Sequence, residues 1–209
     1  MQQEKLLTIK QNSFADITVK KSKFIAEVFY VQTVADAEKI IDKIEKREYK
    51  AKHHCIAYRI MEESLVEKMS DDGEPSGTAG APMLSILQGK GLVNVLAVVT
   101  RYFGGILLGT GGLVKAYSES LTTALDKSET KMLQRATEIS FDTDYSEIEK
   151  IKYYLTQING KSVSFDYFDN IKAIILIPNC YVQNFTDDFQ KLPFKIKNVK
   201  IIQQKFVDI

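Results

Sequence analysis

The first ordered run of apolar positions is SKFIAEVFYV (22–31), rich in β-branched and aromatic residues, and it predicts a strand. Ala37, Ile40, Ile41 and Ile44 then recur at helical spacing with Lys and Glu between them, which predicts an amphipathic helix. HHCIAYRI (53–60) and SLVEKMSD (64–71) predict a strand and its hairpin partner. DDGEPSG (71–77) has turn composition, and a short helix is expected over 78–88. The most apolar stretch, GLVNVLAVVTRYF (91–103), predicts a strand buried on both faces. After a glycine-rich loop, Leu113, Tyr117, Leu121, Ala124 and Leu125 trace one face of a helix.

The pattern lapses at DKSETK (126–131) and a second unit follows. ATEISFDTDY (136–145) alternates as a strand does. Ile148, Ile151, Tyr154, Leu155 and Ile158 mark a helix that Asn159-Gly160 ends, with glycine suited to the left-handed cap. KSVSFDYFD and NIKAIILIP predict two strands meeting at a turn on Asp169-Asn170. A short helix over Phe185–Leu192 and a last strand in FKIKNVKIIQQKFV complete the series. The order β-α-β-β-α-β is the split βαβ, or ferredoxin-like, arrangement. The chain is therefore expected to be α+β with two domains, 1–131 and 132–209.

Composition narrows the functional classes. The 209 residues carry 28 Lys+Arg against 27 Asp+Glu, so a large electropositive footprint for nucleic acid is excluded and any such contact is a local patch. The densest basic stretch is KLPFKIKNVK (191–200), which fits a solvated strand edge better than a binding site. No apolar run approaches the ~20 residues needed to span a bilayer. MQQEKLLTIKQNS has no apolar leader core, and Cys55 and Cys180 stand alone. These features predict a cytoplasmic protein with free thiols and no membrane partner.

Two motifs carry candidate chemistry. The first, RYFGGILLGTGGLVK, places Gly104, Gly105, Gly109, Gly111 and Gly112 before a helix. It is not a Walker A loop, because Thr110 stands where the phosphate-binding Lys belongs. It is not the dinucleotide fingerprint either, because Val114 replaces its last glycine. Glycines ahead of a helix can still turn backbone N–H groups toward an anion, with Arg101 and Lys115 closing on it. Alternatively they serve only positive φ and close packing.

The second motif is Asp71-Asp72-Gly73-Glu74-Pro75-Ser76-Gly77-Thr78. Clustered carboxylates can hold a cation or move protons, but Asp, Gly and Thr are also the ordinary residues of a capped turn. His53, His54 and Cys55 lack zinc-ligand spacing and read as strand residues. Arg101-Tyr102-Phe103 and Tyr167-Phe168 have the composition of a stacking surface for single-stranded nucleic acid, although strand aromatics are more often core.

DDGEPSGTAGAP (71–82) followed by VVTRYFGGILLGTGGLVKAYSES (98–120) resembles the IMPACT/YigZ family, and the likeness covers most of the first half. The second half is similar to the smaller C-terminal domain of the family's bacterial branch. The resemblance implies a first domain like domain 2 of a small-subunit ribosomal protein and domain IV of elongation factor G. The second would be like that factor's domain V. Eukaryotic relatives restrain a translational-stress kinase by competing for its activator. The expected function is a non-enzymatic regulator or accessory factor of translation, without cofactor, metal or catalytic residues. Its partners would be RNA, the ribosome or a translation-related protein. The glycine loop (Arg101, Gly104, Gly105, Gly109, Thr110, Gly111, Gly112 and Lys115) would form the anion or nucleic-acid site. Asp71, Asp72, Glu74, Ser76 and Thr78 would form a second half of it. The alternative is an enzyme acting on a small phosphorylated or acidic substrate at the same two motifs.

Overall fold

The computed structural model describes residues 5–167 and 171–208. The chain divides into two compact units, one of Leu7–Lys131 and one of the residues from Met132 onward with Lys5 and Leu6.

The first unit is built on an antiparallel sheet in the order β2-β3-β6-β4-β5. Its strands are β2 (Ser13–Val19), β3 (Ser22–Tyr30), β4 (His53–Met61), β5 (Leu65–Ser70) and β6 (Val95–Tyr102). Helix α1 (Val34–Arg47) covers one face. Helices α2 (Gly80–Gly89) and α3 (Gly109–Leu125) cover the other. Alternation divides the strand residues between the layers, since neighbours point to opposite faces. Val95, Ala97 and Val99 meet Met83, Leu87, Leu113 and Tyr117. Leu96 and Val98 meet Ile41 and Ile44. Central β6 is thus buried on both faces, as its unbroken apolar run predicts.

The second unit contains β7 (Thr130–Thr143), α4 (Ile148–Gln157), β8 (Lys161–Tyr167), β9 (Ile171–Pro178), α5 (Val182–Thr186) and β10 (Lys197–Val207). Its sheet runs β1-β7-β9-β8, with β1 being Lys5–Ile9, and β10 also pairs β7. Ile139, Phe141, Ala173, Ile175 and Ile177 form its core with Ile151, Leu155, Phe185 and Phe194.

The structure adjusts several expected elements. Helix α3 begins at Gly109, inside the glycine loop, because burial of Leu113, Ala116, Tyr117, Leu121 and Ala124 outweighs the poor helix propensity of its first turn. Strand β6 starts at Val95, after a lone bridge between Leu7 and Leu92. The left-handed residue after α4 is Asn159 (φ 54°), not Gly160. Gly160 is instead required by close approach, since a Cβ there would lie 2.7 Å from Leu155 Cδ2. The short helix expected over Phe185–Leu192 is α5 followed by a separate 3₁₀ turn at Phe189–Lys191. Strands β1 and β2 have no counterpart in the apolar pattern; β2 buries only Ala15. The turn expected at Asp169-Asn170 lies outside the described residues, as does Phe168. No helix among the described residues is long and apolar enough to cross a membrane.

Candidate functional site

The turn after β5 is held from within. Asp71 Oδ1 accepts the N–H groups of Ala79 (2.9 Å) and Gly80 (2.8 Å), and Oδ2 accepts that of Gly77 (2.7 Å). The carboxylate therefore caps the start of α2, whose own N-cap residue, Ala79, has no side chain for the task. Burial works against its charge. The three N–H donors outweigh burial and hold the carboxyl below the usual carboxylate value.

Asp72 and Gly73 take left-handed φ of 41° and 80°. Asp72 Oδ2 accepts His54 N (2.6 Å), and His53 Nδ1 donates to the Asp72 carbonyl (2.7 Å). Strand β4 thus clamps the turn with the two histidines that composition alone assigned no task. Thr78 is buried and donates to the Pro75 carbonyl (2.6 Å), whereas Ser76 is exposed. Both aspartates are engaged with backbone.

Glu74 points inward. Its carboxylate receives Arg101 Nη1 at 2.6 and 2.9 Å and the Tyr117 hydroxyl at 2.8 Å. The side chains of Arg101 and Glu74 retain only 6% and 3% of their exposure, so this is a buried ion pair. The guanidinium sits 5.4 Å from the Phe24 ring centroid and 5.6 Å from that of Phe103. The sequence expectation turned Arg101 out toward an anion. In the structure its charge is matched by Glu74, the acid that the turn carries into the core. A charge buried at this depth has to be paired.

The Cys55 thiol lies 3.0 Å from the Asp71 carbonyl and 3.3 Å from the Tyr117 hydroxyl. Burial pushes it up to about 12 and raises Tyr117 as well. Cys55 is a protonated structural thiol at neutral pH. The two motifs are therefore brought together through Glu74, Arg101 and Tyr117, with Ser22 as a further link: its hydroxyl oxygen accepts Gly104 N (3.1 Å) and Arg101 Nη2 (3.4 Å). Tyr117 and Ser22 were invisible as site residues in the sequence. The first looked like a core position of its helix and the second like a strand residue.

The glycine loop faces the other way. Gly104 is fixed by packing, since a Cβ there would stand 2.0 Å from the Lys21 carbonyl carbon. Gly105 (φ 83°) and Gly109 (φ 71°) both take left-handed backbone that L side chains avoid. Between them Ile106 and Leu107 are exposed, while Leu108 is half-buried against the core. Gly111 needs neither positive φ nor close packing: nothing lies within 4 Å of where its Cβ would be. A Cβ at Gly112 would stand 3.1 Å from Leu108 Cβ. The N-cap of α3, Leu108, makes no side-chain capping bond, and the first turn holds no acid. Gly105, Gly109, Thr110, Gly111 and Lys115 are all exposed.

Among the described residues, no group of three or more His, Cys, Asp or Glu is placed to hold a metal ion. In the second unit Tyr167 is exposed and its ring meets that of Tyr145, 5.7 Å between centroids.

A mixed α/β chain of two sheets, with one signature turn locked inward and one glycine loop presented outward, defines a class of protein with known members. The Impact N-terminal domain matches residues 20–125. IMPACT family member YvyE of Bacillus subtilis is 38% identical over 79% of this chain and 76% of its own length. IMPACT family member YigZ of Escherichia coli is 38% identical over 80% and 83%. The crystal structure of a hypothetical protein superposes with a TM-score of 0.68 at 33% identity, covering 95% of this chain and 99% of that one. The chain belongs to the IMPACT family.

Proposed function

We propose that this protein is a non-enzymatic, cytoplasmic regulator or accessory factor of translation. It engages RNA, the ribosome or a translation-related protein through the glycine loop. The observation that carries this reading is the contrast in exposure between the two motifs. The acids of the turn are consumed by backbone N–H groups and by Arg101. The loop leaves the uncapped end of α3, Thr110, Gly111 and Lys115 at the surface. Family membership supports the translational setting. In this reading Gly105, Gly109, Thr110, Gly111, Gly112 and Lys115 make the contact. Arg101 and Gly104 position the loop from behind, and Asp71, Asp72, Glu74, Ser76 and Thr78 brace it. The reading extends to the fold, with a first unit of the elongation factor G domain IV type and a second of the domain V type.

The test is to titrate the purified chain into a cell-free translation reaction beside a Gly111→Ala/Lys115→Glu variant. Translation yield should change with wild type and should change much less with the variant. A yield indifferent to wild-type protein removes the proposal. The enzymatic alternative needs a free carboxylate on the turn, and all three acids there have partners.

A further inference from the structure

The residues around the glycine loop include an apolar patch that the anion-site reading leaves unused. Leu107 is 82% exposed, Phe103 50%, Ile106 43% and Val114 37%. Four large apolar side chains within twelve residues, on one loop and the helix turn it enters, form a cluster of the kind that marks an interaction surface. Gly105 and Gly109 take left-handed backbone at the two ends of the tip, and Gly104 seats its base on Lys21–Ser22.

Positive charge surrounds the patch. Lys115 is exposed on α3 one residue after Val114. The turn against which Gly104 packs is Lys20-Lys21, exposed lysines with φ of 45° and 67°. That two-residue hairpin turn normally takes Asn-Gly, and left-handed backbone costs a lysine about 1–2 kcal/mol. The uncapped N-terminus of α3 adds partial positive charge beside them. The acid closest along α3 is Glu119, one turn beyond Lys115.

Resting on the reading of the loop as a translational contact surface, we propose that its occupant is a protein, bound through an acidic segment bearing aliphatic side chains. Charge complementarity selects the acid: Lys115, Lys20, Lys21 and the uncapped N-terminus of α3 all present positive charge beside the patch. The patch selects protein over RNA. Three of its four side chains are aliphatic and offer no ring for a base, whereas nucleic-acid surfaces rely on stacking aromatics. Leu107 is the anchor. Carboxylates of the partner cap α3 and pair with Lys115, Lys20 and Lys21.

The experiment is fluorescence anisotropy with three labelled probes of matched length. One is an amphipathic peptide with Leu at i, i+3, i+4 and i+7 and Glu elsewhere. The second is the same peptide with Lys for Glu, and the third is a single-stranded RNA. Wild type should bind the acidic peptide and not the basic one. Leu107→Ser should weaken binding by about tenfold or more, as expected for losing one buried leucine. Lys115→Glu should weaken it further at low salt. Both sites are exposed, so urea midpoints near wild type will show that the variants fold. Absence of acidic-peptide binding overturns the proposal, and so does equal binding by Leu107→Ser. Tighter RNA binding that ignores Leu107→Ser also overturns it while leaving the translational reading standing. Peptide binding by a chain that leaves cell-free translation unaffected would do the reverse.

Discussion

The turn at 71–78 and the loop at 101–115 are both rich in glycine and polar residues, and the fold uses them in opposite ways. In the turn each acid has a partner. Asp71 caps α2, Asp72 holds β4, and Glu74 is buried against Arg101 and Tyr117. In the loop, the end of α3 has no side-chain cap and Leu107 projects into solvent. A motif's composition therefore does not tell whether it is framework or contact surface. Whether its polar groups are already satisfied does.

Substitutions can break this contrast, and the largest effects belong to the turn. Glu74→Ala leaves the Arg101 guanidinium buried and unpaired, and should cost about 3–5 kcal/mol in urea denaturation. A Glu74→Met/Arg101→Met double variant should cost less than either single change, because no charge then remains inside. Gly104→Ala forces a Cβ into the Lys21 backbone and should cost about 1–3 kcal/mol by the same measurement.

Asp71→Ala removes the cap of α2 and should cost about 1–2 kcal/mol. Asp71 also sets a pH dependence. Its carboxyl is held below the usual value in the folded state, so its contribution is complete above pH ~4 and disappears as pH falls through the folded-state value. An acid titration followed by circular dichroism should show wild type losing stability below pH ~4, with the Asp71→Ala difference shrinking over the same interval.

Beyond Gly104, at the exposed positions of the loop and of the Lys20-Lys21 turn beside it, the expected stability changes reverse in sign. Lys20→Asn/Lys21→Gly relieves left-handed backbone and should raise the melting stability by about 1 kcal/mol while reducing partner binding. Gly111→Ala meets no neighbouring atom and should add about 0.5 kcal/mol to helix stability. If the loop presents its backbone to a ligand, that same variant binds less well.

Much of this architecture was legible in the residues. The valine-rich run at 91–103 contains a strand buried on both faces, and the Ala37–Ile44 periodicity yields α1. The turn at 71–77 follows from its Asp, Gly and Pro, and the β4–β5 hairpin from the strand patterns at 53–60 and 64–71. Strand β2 was not legible, because an edge strand with one buried residue has almost no hydrophobic signature, and β1 was not, because its five residues are too short a run to show a period. The inward course of Arg101 was hidden as well. A lone arginine after an apolar strand reads as a surface cation until its acid, 27 residues earlier in the chain, is brought to it by the fold. The exposed apolar tip was hidden too, because Ile106 and Leu107 belong to no periodic pattern and the glycines around them drew the reading toward an anion.

The most direct test of the account is equilibrium urea denaturation of Arg101→Met, with the acidic-peptide titration run on the same preparation. The account predicts a loss of about 3 kcal/mol or more, because Glu74 is left charged in the core, with peptide affinity retained by the molecules that remain folded. Unchanged stability together with lost binding would contradict it, and would make Arg101 a ligand contact and not the strut behind the loop.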